Sequence, residues 1–266
     1  MNTLMKNNNQ LLTIFLFFFG YISFSQTKDF KTFDGVTIVY NDEGEGEPVL
    51  LIHGFINSRK SWDNTKLKKD LLNKGYRVIV PDLRGSGDSD KPQEDKAYKN
   101  DAEVIDLKLL LDHLNIQSYK AVGYSRGSIV LAKLLTIDKR IEKAVLGGMG
   151  IDFTNPQWAR RIMFAKAFDG DVNEETKGAV TYAKSIHADF RSLHLQQKYQ
   201  PVTSKRKLGK TKIDVMVICG DEDSDNGNAK ELSNVFTNGI LVRVPGDHNG
   251  TYKTANFSNE ILRFLD

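Results

Sequence analysis

Tyr119-Lys120-Ala121-Val122-Gly123-Tyr124-Ser125-Arg126-Gly127-Ser128 is the stretch on which the reading of this chain turns. Tyr119 to Val122 has the look of a buried strand, and Ser128 to Thr136 that of a helix. Between them Gly123-Tyr124-Ser125-Arg126-Gly127 matches G-x-S-x-G in the strand–turn–helix context that this motif needs. A turn that sharp forces its central residue into a strained backbone, so its neighbours must be small. It lifts the Ser125 hydroxyl clear of the sheet and aims the free N–H groups of the next helix at the same place. Ser125 is therefore the candidate nucleophile.

A serine nucleophile needs a base. The five histidines are His53, His113, His187, His194 and His248. His113 stands beside Leu110, Leu111 and Leu114 as a surface or boundary residue, and His187 and His194 read as solvated side chains of a helical segment. His53 follows a buried strand directly, where its ring is expected to organise the loop. His248, in Pro245-Gly246-Asp247-His248-Asn249, follows the last strand at the carboxyl edge of the sheet, where α/β proteins place their sites. Its imidazole needs a carboxylate to fix the tautomer. The run Gly220-Asp221-Glu222-Asp223-Ser224-Asp225 follows the preceding strand at that same edge, and one of its acids is expected to serve. The order Ser, Asp, His along the chain suits this geometry.

Outward from the motif, strands and helices alternate. Phe30–Asp42 reads as two short strands around Asp34-Gly35. Continuous apolar runs at 48–52, 76–80, 119–122, 141–146, 213–219 and 240–244 suit strands covered on both faces. Helical patterns lie between them at Trp62–Lys74, Asp101–Leu114, Ser128–Thr136, 228–236 and Asn256–Leu265. The second of these carries an apolar stripe of Val104, Ile105, Leu107, Leu110, Leu111 and Leu114. This alternation predicts an α/β fold with a mostly parallel central sheet flanked by helices. Residues 151–212 break it with two or three helical patterns and no strand, so they are expected to form a small helical lid inserted between two strands. With 12 Lys and Arg against six Asp and Glu, that insertion carries +6.

The 266 residues, with 40% hydrophobic and 27% charged side chains, have the composition of an ordinary globular protein. A formal charge of +3 argues against a partner held by nucleic-acid phosphates. One Cys excludes an intramolecular disulfide and a cysteine-based zinc site, and there is no H-E-x-x-H, so no metal or other cofactor is expected. That Cys219 lies in Val215-Met-Val-Ile-Cys-Gly reads as a buried strand residue. The front of the chain differs from the rest. Leu11–Phe24 is 14 residues without a charge, preceded by Lys6 and followed by Ser25-Gln26. This is short for a bilayer span, which takes about 20 apolar residues. Residues 1–25 are expected to be a secretory signal peptide, leaving an exported domain at 26–266 with no stable membrane span. An uncleaved anchor is the alternative.

At this point a resemblance becomes specific. Leu51-Ile52-His53-Gly54-Phe55, Pro81-Asp82-Leu83-Arg84-Gly85-Ser86-Gly87-Asp88-Ser89, the Ser125 motif, Val217-Ile218-Cys219-Gly220-Asp221-Glu222-Asp223 and Gly246-Asp247-His248 stand in this order. Together they resemble the α/β-hydrolase fold superfamily, in its serine esterase, lipase and peroxidase-like group. The resemblance implies that Asp223 is the acid of a Ser125-Asp223-His248 triad, with Asp221 the second choice. It implies that the amides of Phe55 and Arg126 form the oxyanion hole. It gives the 81–89 loop a structural role. A Ser in the nucleophile position, where an Asp would be needed, argues against epoxide hydrolase or dehalogenase chemistry. Trp158, Phe164, Phe168 and Tyr182 of the insertion are candidates for lining the acyl pocket, the alternative being the packing surface of a lid. The Arg126 side chain is expected to pair with a nearby acid rather than to bind a substrate carboxylate. The activity implied is an exported serine hydrolase acting on small-molecule carboxylic esters through an acyl-enzyme. Two further readings keep the fold: perhydrolysis or carbon–carbon bond hydrolysis by the same triad, and a binding protein with little turnover.

Overall fold

A computed structural model describes residues 27–266, and the expected signal peptide at 1–25 lies outside the described residues. The elements run β1 (Thr27–Lys31), β2 (Thr37–Glu43), β3 (Pro48–Ile52), α1 (Lys66–Asn73), β4 (Arg77–Pro81), α2 (Ala102–His113), β5 (Tyr119–Tyr124), α3 (Arg126–Ile137) and β6 (Ile141–Gly147). They continue with α4 (Ala159–Ala167), α5 (Glu174–Ser185), α6 (Phe190–Lys198), α7 (Lys205–Leu208), β7 (Asp214–Gly220), α8 (Ala229–Val235), β8 (Gly239–Val244) and α9 (Ala255–Leu265).

The eight strands form one sheet in the order β1-β2-β4-β3-β5-β6-β7-β8. β1 and β2 pair antiparallel, as does β2 with β4, and the pairs from β4 through β8 are parallel. Alternate residues of each central strand enter opposite cores, which is why their sequences are apolar without a break. Leu50, Ile52, Ala121, Leu146, Val215 and Val217 pack with residues of α2, α3 and α8. Val49, Leu51, Val122, Val145, Met216 and Ile218 pack under α1 and α9. Cys219 is buried in β7, and burial pushes its thiol up to about 11, the reverse of a reactive thiolate.

Two expectations need correction. The helix expected from Trp62 starts only at Lys66: Arg59–Trp62 is a 3-10 turn, and the Thr65 hydroxyl caps α1 by accepting from Lys68 N–H at 3.3 Å. Trp62 instead drops into the core under α9. His194, expected to be solvated, is buried on α6 and its Nδ1 hydrogen-bonds Ala165 O at 2.7 Å.

Residues 151–212 form a 3-10 turn and α4 to α7, with no strand among the described residues. Local caps explain where two of these helices start: Asn173 and Thr176 form a reciprocal capping box for α5, and the Asp189 carboxylate accepts from Ser192 N–H at 2.7 Å for α6. Phe153 plugs the entry of this cap into the main core. Asp95 holds its far side through Arg191 at 2.7 Å and Lys198 at 2.8 Å.

Candidate active site

Ser125 sits between β5 and α3 with φ 53° and ψ −122°, a backbone region that costs a non-glycine residue roughly 1–3 kcal/mol. Its flanking glycines are dictated by space. A Cβ on Gly123 would lie 2.5 Å from Gly127 O, and one on Gly127 would lie 2.3 Å from Ile52 O. The turn is held by Ser125 N–H donating to Gly147 O at 2.8 Å, and by the Ser128 hydroxyl at 2.9 Å from Gly123 O and 2.8 Å from Gly147 O.

Three parallel strands deliver the partners to one edge of the sheet. After β8, His248 places Nε2 2.9 Å from Ser125 Oγ. After β7, Asp223, 8% exposed, places Oδ2 2.8 Å from His248 Nδ1. The acid pair is thereby separated by position. Asp223 meets the imidazole, whereas Asp221 accepts from Gly246 N–H at 2.9 Å and holds the loop that carries His248. Two residues that the sequence did not single out also touch the histidine. Tyr124 donates its hydroxyl to His248 O at 2.6 Å with its ring 5.5 Å from the imidazole. Asn226 lies 3.3 Å from Nδ1 and donates to Gly148 O. Tyr124 stands inside the motif and Asn226 just past the acidic run, but nothing in their spacing marks either for this contact.

The loop after β3 passes directly beside the nucleophile, since a Cβ on Gly54 would be 3.3 Å from Ser125 Cβ. Neither the Phe55 nor the Arg126 backbone N–H has a protein acceptor among the described residues. That leaves two donors free at the serine, the arrangement an oxyanion hole requires. His53 braces this loop. Its Nδ1–H donates to Gly54 O at 2.8 Å and Nε2 accepts from Leu83 N–H at 3.1 Å, which fixes a neutral ring. Burial holds its pKa below the usual imidazole value. The 81–89 loop is structural, as expected: Asp82 accepts from the backbone N–H of Arg59 at 2.6 Å and of Asp88 at 2.8 Å, and Arg84 pairs with Asp106 at 2.6 Å.

The Arg126 side chain turns from the serine to pair with an acid, the expected alternative to a substrate contact. Its guanidinium makes a two-pronged pair with buried Glu103, at 3.0 Å on one prong, and donates to Gln196 O at 2.8 Å. Two cavities meet at Ser125 and His248. The wider, about 560 Å³, is lined by Phe55, Phe164 and Tyr182 among others. The narrower, about 150 Å³, is lined by Arg126, Trp158 and Phe164 among others. Phe168, expected in the pocket, lines neither. It ends α4 facing the interior of the cap, where it packs edge-on against Phe55 at 5.5 Å and Phe190 at 5.2 Å. Among the described residues no group of three or more His, Cys, Asp or Glu could hold a metal ion, and no helix is long and apolar enough to cross a membrane.

Residues 47–190, more than half of the chain, match the family model described as alpha/beta hydrolase fold. A 2-hydroxymuconate semialdehyde hydrolase from a Pseudomonas species is 32% identical over 171 residues, 59% of this chain and 60% of that protein. A non-heme chloroperoxidase from Streptomyces lividans is 36% identical over 119 residues, 43% of this chain and 42% of that protein. The chain thus matches about half the length of these relatives. Among solved structures, a bromoperoxidase from Bacillus anthracis is 25% identical with a TM-score of 0.70, covering 90% of this chain and 99% of that one.

Proposed function

The chain belongs to the alpha/beta hydrolase fold family, and from that premise we propose that it is a serine hydrolase cleaving carboxylic esters of small molecules. The observation that carries the reading is the relay Ser125 Oγ to His248 Nε2 at 2.9 Å and His248 Nδ1 to Asp223 Oδ2 at 2.8 Å. His248 takes the Ser125 proton as Oγ attacks the acyl carbon, and Asp223 stabilises the imidazolium. The oxyanion accepts from the amides of Phe55 and Arg126, each worth about 3 kcal/mol of barrier. The imidazolium proton passes to the leaving alcohol oxygen as the C–O bond breaks. Water then attacks the acyl-enzyme, gives its proton to His248, and the acid departs as that proton returns to Ser125.

Ser125→Ala is expected to abolish both fluorophosphonate labelling and turnover of 4-nitrophenyl butyrate. Retained turnover would refute the assignment, and a wild-type protein that neither labels nor turns over would be the binding protein instead. The relatives named chloroperoxidase and bromoperoxidase favour a second reading of the same site. Hydrogen peroxide, in place of water, accepts the acyl group and leaves as a peracid. Peracid formation lost in Ser125→Ala would mark that reaction. The relative named a semialdehyde hydrolase points to carbon–carbon bond hydrolysis as a further use of the triad.

We also propose export, on the uncharged run Leu11–Phe24 behind Lys6. The protein recovered outside the cytoplasm is expected to begin near Gln26. An N-terminus still carrying residues 1–25 would overturn cleavage.

A further inference from the structure

We propose that the cavity of about 150 Å³ beside Ser125 is a carboxylate-binding subsite, so that the substrate is an ester whose acyl chain ends in a second carboxylate. This rests on the ester-hydrolase reading and deepens it. Three arginines, Arg126, Arg160 and Arg161, reach the wall of this cavity, and no Asp or Glu does. Two of the three have acidic partners elsewhere. Arg126 is neutralised by Glu103, and Arg160 faces Asp225 at 3.6 Å while lying 5.2 Å from the centre of the Phe164 ring. Arg161 differs. Its partners among the described residues are two carbonyls, Pro156 O at 2.6 Å and Lys198 O at 3.3 Å, and no carboxylate. Burial pushes its pKa down with nothing offsetting it.

A second observation is independent of charge. Gln200, 4% exposed, lines the same cavity with an Nε2 that is buried and has no hydrogen-bond partner. The Nε atoms of Arg126 and Arg161 are likewise buried and unpartnered. Buried donors are nearly always satisfied, so an unpartnered amide on a residue of the cavity wall favours an acceptor there. A guanidinium and a carboxamide without a competing acid favour a planar anion. Ile129, Met149 and Trp158 supply an apolar wall for the methylenes that join it to the scissile carbonyl. At about 30 Å³ for each water, the space equals roughly five waters, enough for a short chain and one carboxylate.

The test compares two esters of equal chain length, 4-nitrophenyl hemiglutarate and 4-nitrophenyl pentanoate, each corrected for spontaneous hydrolysis with Ser125→Ala. Wild-type protein is expected to favour the anionic ester at least tenfold in kcat/KM. Arg161→Gln and Gln200→Leu are each expected to cut that ratio several-fold through KM rather than kcat. Two variants guard against one that misfolds. Lys184→Gln, on the solvent side of α5, is expected to keep the ratio. An equal fall in Lys184→Gln would assign the preference to diffuse charge of the cap and overturn the subsite. A wild-type ratio near one, in protein that labels with fluorophosphonate, would overturn the subsite and leave the hydrolase reading intact. If the protein does not label, calorimetry with glutarate decides: binding weakened by Arg161→Gln supports the subsite without the hydrolase, and no binding overturns it.

Discussion

Asp221 and Asp223 are two positions apart, yet the turn after β7 sends them to different tasks. Asp223 is buried and hydrogen-bonded to the imidazole, where an acceptor-only group fixes the tautomer that leaves Nε2 free to take a proton. Asp221 is exposed, and its contact is a backbone N–H. An amide at 223 presents either a donor or a neutral acceptor to Nδ1, and in neither case stabilises the imidazolium. Asp223→Asn is therefore expected to lower kcat for 4-nitrophenyl butyrate by about 10⁴. Asp221→Asn keeps an oxygen for Gly246 and is expected to stay within a few-fold of wild type. Steady-state kinetics of the two variants decide it, and the reverse ranking would move the acid to Asp221. Sequence alone left the run of acids open. The resemblance picked 223, but only the fold brings that oxygen to 2.8 Å from the ring.

At the scale of elements, legibility followed how local the cause was. The central strands could be read because burial on both faces leaves an unbroken apolar run, and the Ser125 turn because its glycines are forced by contacts at 2.3 Å and 2.5 Å. Helix starts were harder. The pattern around Leu67 and Leu71 is periodic back to Trp62, but Trp62 is buried through a 3-10 turn and the cap belongs to Thr65. α2 shows the limit of periodicity more sharply. Of its expected stripe, Val104, Leu107, Leu110 and Leu111 are buried and Ile105 and Leu114 only half-buried, while Glu103 and Asp106, polar by any pattern, are buried with the first four. Each is there because an arginine distant in sequence, Arg126 or Arg84, arrives to pair with it. A buried charge is tolerated only with its partner, and no single-chain pattern announces a partner 22 or 23 residues away. The same reason hid Arg161 and Gln200: they are informative for the contacts they lack. Phe168 was misplaced because one helical face can serve a pocket or a core, and the turn that ends α4 chose the core.

At the scale of the whole molecule, the buried groups set how stability depends on pH. His53 joins the end of β3 to the 81–89 loop, and both its nitrogens are committed in the neutral form, one donating and one accepting. Protonation would point a second N–H at the Leu83 amide inside the core. Burial lowers its pKa in the folded state, against about 6.5 when unfolded. Below about pH 6.5 the unfolded chain therefore binds a proton that the folded chain refuses. The contribution of His53 is complete above that pH and is lost as pH falls, at up to about 1.4 kcal/mol per unit. Carboxylates add a lower window. Burial alone would raise Asp42, but hydrogen bonds from Arg77 and Lys28 outweigh it and hold the carboxyl below the usual range. Asp138 is held low in the same way, burial opposing and Arg140 prevailing. Their support is complete above the unfolded value of about 3.9 and is lost as pH falls through their lower folded values. Thermal unfolding is expected to give a Tm that begins to fall below about pH 6.5 and drops again below about pH 4. His53→Asn, less stable throughout, is expected to lose the first descent and keep the second. A wild-type Tm that is flat or rising from pH 7 to pH 5, or a first descent that survives in His53→Asn, would show that this ring does not govern the window.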